Sequence, residues 1–139
     1  FNLEFKIVHY ILALCIFITG FSFSYFYHRY FYYDKILHIV SPFFGSFIIF
    51  FLIDKLEIKF RIKILLTFTI LISIITGIEI YEYLSDMYLS TLLQGVYLKG
   101  KGMVQNRIND SMIDLILGFI SSLLFSFFKI FLNGERLKN

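Results

Sequence analysis

The chain has 139 residues, 58% of them hydrophobic and 21% aromatic, with one proline, one cysteine and a formal net charge of +3. A mean hydropathy of +0.77 lies far outside the range of soluble domains and marks a membrane protein. The charge leaves no footprint for nucleic acid, and the lone Cys15 excludes an intramolecular disulfide.

Four apolar runs follow one another, Ile7 to Tyr27, Ile36 to Ile53, Ile64 to Tyr83 and Met112 to Leu132, of 21, 18, 20 and 21 residues. At about 1.5 Å per residue each can cross a hydrocarbon core of roughly 30 Å. Backbone groups in lipid must be satisfied within their own segment, and the alternation of a barrel strand is absent. The expected fold class is therefore all-α: one polytopic membrane domain over residues 1–139, with four transmembrane helices and a long capping loop between the third and fourth.

The first run follows Glu4 and Lys6. It is too long for a signal-peptide core and lacks a small-residue cleavage pattern, so a retained helix is expected. His9 and His28 have no carboxylate at helical spacing and read as interfacial or core residues.

The second run opens on "YYDKILH" and carries Pro42. A proline in a helix has no N–H and crowds the carbonyl four residues earlier, here that of His38. Two readings follow: a kinked mouth offering an imidazole and a free carbonyl to a cation or substrate, or an ordinary kink hydrated by water.

The third run ends among Glu79, Glu82 and Asp86, and the fourth starts among Asp110 and Asp114. Counting crossings puts these ends on the same side of the membrane as Asp34 and His38. The spacings (i, i+4 for 34/38 and 110/114; i, i+3, i+7 for 79/82/86) set each group on one helical face. Six of the ten acidic residues thus form three short stripes at one end of the bundle. A carboxylate in mid-membrane costs about 2.5 to 3.5 kcal/mol, so the stripes are expected to converge on a polar cavity rather than face lipid. There Lys35, Arg29, Arg107, shared protons or a divalent cation would neutralise them. Gly77 and Gly118 would let the third and fourth helices approach closely, and Ser111, Ser121, Ser122 and Thr76 would add interhelical hydrogen bonds.

The loop from Leu84 to Asp110 is the longest connection. Met87 to Leu93 is apolar enough for a short interfacial helix, Gly95, Gly100 and Gly102 mark turns, and the whole is expected to cap the polar end. Nine of the ten tyrosines fall on this side, as an interfacial aromatic belt would place them. Lys and Arg number eight on the opposite side and five on this one. The positive-inside rule then sets both termini in the cytoplasm, in what reads as the cytoplasmic membrane of a prokaryote.

In this order and on matching helices, "DKILH", "EIYEYLSD", "QGVY" and "DSMIDLILG" resemble the YjdF-like or DUF2238 family of uncharacterised membrane proteins, over roughly residues 30 to 125. More distantly they resemble the VanZ-like proteins, from which the chain departs with Glu82 in place of Gln and Asp114 in place of Asn. The resemblance implies a four-helix core and weight on Asp34, His38, Glu79, Glu82, Asp110 and Asp114, but no reaction.

Three functions stay open. The His/carboxylate cluster is a structural lock in an accessory protein; or it holds a divalent metal that activates water against a lipid or lipid-linked substrate; or it relays protons or cations in a homo-oligomer or larger membrane complex. The catalytic candidates are His38, Glu79, Glu82 and Asp114, and the metal candidates are Asp34, His38, Glu79, Glu82, Asp110 and Asp114. A single histidine among carboxylates is a hard ligand set, suited to Mg, Mn, Ca or a carboxylate-bridged metal pair.

Overall fold

The computed structural model describes residues 6–18, 26 and 29–133. In chain order the elements are α1 (Ile7–Phe17), α2 (Phe31–Asp54), α3 (Phe60–Leu89), β1 (Val96–Leu98), β2 (Gly102–Gln105) and α4 (Arg107–Leu132). α2, α3 and α4, of 24, 30 and 26 residues, are each long and apolar enough to cross a membrane. α1 is shorter, at 11 residues. Most of the rest of the first apolar run, with Tyr25, Tyr27 and His28, lies outside the described residues.

The long helices pack mutually, and α1 lies against α2. They outrun the apolar segments at the polar end, because α2 starts at Phe31 and α3 continues to Leu89. The polar ends of α2 and α4 keep their carboxylates bonded to Lys35 inside the bundle, and that of α3 has Asp86 bonded by the cap. The expected helix over Met87 to Leu93 does not form. In its place α3 gains its last turn, and the chain leaves it through Ser90 and Leu92, both in the left-handed region (φ 54° and 58°).

The connection from residue 90 to 106 contains an antiparallel hairpin in place of an irregular loop. Val96 faces Gln105 and Leu98 faces Gly102, with a bulge between Val96 and Tyr97. Two strands of three and four residues carry too little alternation to be read from sequence. Gly95 sits at φ +87°, where an added Cβ would come within 3.0 Å of the Gln105 carbonyl oxygen. The turns expected at Gly95, Gly100 and Gly102 are present, all with positive φ.

Close helix approach is found at one of the two expected glycines. A Cβ on Gly118 would lie 2.7 Å from Ile75 Cδ1, whereas nothing among the described residues lies within 4 Å of one on Gly77. Ser121 Oγ of α4 donates to the Ile39 carbonyl of α2 at 2.7 Å, while Ser122 Oγ returns to Gly118 of its own helix. Pro42 is buried within α2. The loosened ladder above it thus receives an outside donor at Ile39, next to the His38 carbonyl where the freed acceptor is expected.

At the opposite end the core is aromatic: Phe50, Ile64 and Phe125 are buried with Phe43, Phe47 and Phe60 against them. Lys129 Nζ lies 4.2 Å from the Phe50 ring centroid. Lys63 Nζ donates to the Asp54 carbonyl at 2.6 Å, neutralising the C-terminal end of α2. One end of the bundle is therefore held by rings and the other by charge.

Candidate functional site

The charged end is organised by a lysine. Lys35 follows Asp34 in the first turns of α2, and its stem carries Nζ into the bundle. There it donates to Asp34 Oδ2 at 2.8 Å, to both oxygens of Asp114 at 2.8 Å, and to Asp110 Oδ1. Asp110 and Asp114 share a face of α4 because they are four residues apart. The aspartate side chains are 3% to 5% exposed and that of Lys35 is 11% exposed. An ammonium has three donors and no acceptor, so three carboxylates around it are a complete match. Of the cations offered by the sequence, Lys35 takes the central place.

Asp110 also accepts the Gly95 amide through Oδ2 at 2.7 Å. The ammonium thereby reaches the hairpin through one intervening carboxylate, and α2, α4 and the cap become one network.

His38 stands one turn below Asp34. Its Nε2 is 3.6 Å from Asp34 Oδ1 and its Nδ1 is 4.0 Å from Glu79 Oε1. Both separations exceed hydrogen-bond length. Glu79 Oε1 is buried and accepts no hydrogen bond among the described residues. Glu82, half-buried, feels the charges of Glu79, Asp34, Asp114 and Asp110. Five carboxylates, Asp34, Glu79, Glu82, Asp110 and Asp114, thus stand near one ammonium and one imidazole. Fully ionised, the group would carry excess negative charge in a poorly solvated place, so it has to share protons or attract a cation.

The six metal candidates divide. Asp34, His38 and Asp114 each offer a donor atom within 4.8 Å of the others. Glu79, Glu82 and Asp110 fall outside that group, Asp110 being engaged by Lys35 and Gly95. Both oxygens of Asp114 are already bonded to Lys35. A metal held there would have to share them or displace the ammonium.

The acidic stripe of α3 divides as well. Glu79 and Glu82 belong to the charged centre, but Asp86 turns to the cap. It accepts from Thr91 Oγ1 at 2.8 Å, Leu93 N at 2.6 Å and Gln94 N at 3.1 Å, and Arg107 Nε approaches it at 3.7 Å. Those bonds hold the left-handed turn at Ser90 and Leu92, a conformation costing about 1 to 3 kcal/mol per non-glycine residue. Gln94, not singled out as a polar group in the sequence, is buried and donates to Ser111 Oγ at 2.8 Å. The available signal was its place beside Gly95, where the chain must turn back.

No curated protein and no solved structure matches this chain. A family model does, over residues 1–134, which takes in every element and every charged group just described. By that match the chain belongs to the DUF2238 family of predicted membrane proteins.

Proposed function

We propose that the protein has a structural or accessory role in the membrane, and that its charged centre is an ion-pair lock joining α2, α4 and the hairpin. The observation that carries this reading is the Lys35 ammonium, whose donors are taken up by Asp34, Asp110 and Asp114. A cation belonging to the chain already stands where the carboxylates converge. In this reading α1 belongs to a fourth crossing. The eight-to-five charge count then supports cytoplasmic termini in a prokaryotic cytoplasmic membrane, with the hairpin outside. In a Cys15-free background, an impermeant thiol reagent applied from outside is expected to label Lys101→Cys and spare Lys59→Cys. The reverse pattern would refute this orientation. Exposed apolar residues along the long helices suit contact with lipid, a second copy or other membrane subunits.

A divalent metal site is the second reading, favoured by the Asp34, His38 and Asp114 donors beside Glu79 Oε1, which has no partner among the described residues. Such hard ligands suit Mg, Mn or Ca, and a metal-bound water would act on a lipid or lipid-linked substrate. Thermal unfolding of chelator-treated protein with Mg, Mn, Ca and Zn separates the two readings. The lock requires a midpoint indifferent to all four ions, with Asp114→Asn destabilised by about 2 to 4 kcal/mol. The metal site requires a midpoint that rises with the ion, and rises much less in His38→Gln, Glu82→Gln and Asp114→Asn.

A further inference from the structure

Outside the lock, between α3 and α4 and beneath the cap, lies a cavity of about 460 Å³. Arg107, Gln94, Ser111 and Tyr83 line it together with Met87, Ile108 and Met112. Its size falls within the range of roughly 300 to 1,000 Å³ typical of small-molecule sites. The lining is graded along the helices. Arg107 opens α4 and Gln94 belongs to the cap, while Met112 and Tyr83 lie further into the bundle on α4 and α3.

The apolar side of the cavity is exposed. Ile108 is 78% exposed, Met112 53% and Met87 50%, all on helices long enough to cross a membrane. Its back is polar and ordered, because Gln94 and Ser111 are hydrogen-bonded to each other there.

Arg107 supplies the charge. Its partner among the described residues is Asp86, with Nε at 3.7 Å, too long for a hydrogen bond. Asp86 already accepts three other donors, so the end of the guanidinium fork keeps its hydrogen-bonding capacity. Lys99 and Lys101 on the hairpin turn add positive charge at the same end of the molecule. A guanidinium matches a phosphate bidentately, and the hydroxyl of Tyr83 can serve a remaining oxygen. A soluble anion would have no use for the methionine and isoleucine wall.

We propose that this cavity binds the phosphate head group of an anionic phospholipid, with the phosphate on Arg107 and the first acyl carbons along Met87, Ile108 and Met112. The site does not depend on the lock reading, since it uses none of the carboxylates around Lys35.

The test is native mass spectrometry of the delipidated full chain in a neutral detergent, titrated with phosphatidylglycerol, phosphatidylcholine or inorganic phosphate. Phosphatidylglycerol is expected to bind about five- to tenfold more tightly than phosphatidylcholine, and to lose that advantage in Arg107→Gln but not in Lys59→Gln, an exposed lysine just before the opposite end of α3. Inorganic phosphate at millimolar concentration is expected not to compete. Ile108→Glu provides a second variant at an exposed position, so that any unfolding of Arg107→Gln through its contact with Asp86 leaves the question answerable; it too is expected to lose the preference. Equal binding of the two lipids to the wild-type protein, or an unchanged preference in Ile108→Glu, would overturn the assignment. Full competition by inorganic phosphate would make this a free-phosphate site and overturn the lipid.

Discussion

Lys35→Met is expected to be the most damaging single substitution at the polar end, lowering stability by about 3 to 5 kcal/mol. Methionine keeps much of the stem's volume and packing but removes the ammonium from Asp34, Asp110 and Asp114, three carboxylates left almost without solvent. The loss comes from the stranded acids rather than from an absent attraction, because each must now take up a proton or stay charged and poorly solvated. Removing those charges should therefore repair the damage. Lys35→Met combined with Asp110→Asn and Asp114→Asn is expected to recover more than half of the lost stability. Unfolding midpoints in detergent measure both effects. A single variant within about 1 kcal/mol of wild type would show that the ammonium does not hold the end of the bundle. The triple variant proving no better than the single would show that the cost lies in lost packing.

Asp86→Ala is expected to cost about 3 kcal/mol, and to spend it locally. The carboxylate accepts one hydroxyl and two backbone amides within the segment after α3, so its removal takes an acceptor from Leu93 N and Gln94 N while the left-handed residues Ser90 and Leu92 stay strained. Amide exchange across residues 91–98 should accelerate by about 100-fold, while the middle of α3 and α4 keeps its protection. Asp86→Asn retains one acceptor oxygen and should fall between the two. Unchanged protection at Leu93 and Gln94 in the alanine variant would refute the role assigned to this side chain. Uniform acceleration throughout the chain would instead make the cap part of the global folding unit.

Sequence alone determined the solvent of this protein, its long apolar helices and the end of the bundle at which its acids gather. These follow from local demands: a segment in lipid must satisfy its own backbone, and helical period and parity of crossings place Asp34, His38, Glu79, Glu82, Asp110 and Asp114 without knowledge of neighbours. Tertiary structure decided what each polar group meets. Lys35 takes the centre, with Arg107 left at the edge, because the rotation of α2 and α4 about their axes brings that ammonium between the acids of α4. Asp86, one face with Glu79 and Glu82 in projection, serves the cap because α3 runs on to Leu89 before the chain turns. Gly118 meets Ile75 while Gly77 meets nothing among the described residues, and the hairpin forms where no strand could be read. All of these depend on helix rotation and on pairing between distant residues. A stripe on one helix states a direction in that helix's own frame, and only packing against the other helices converts it into a contact.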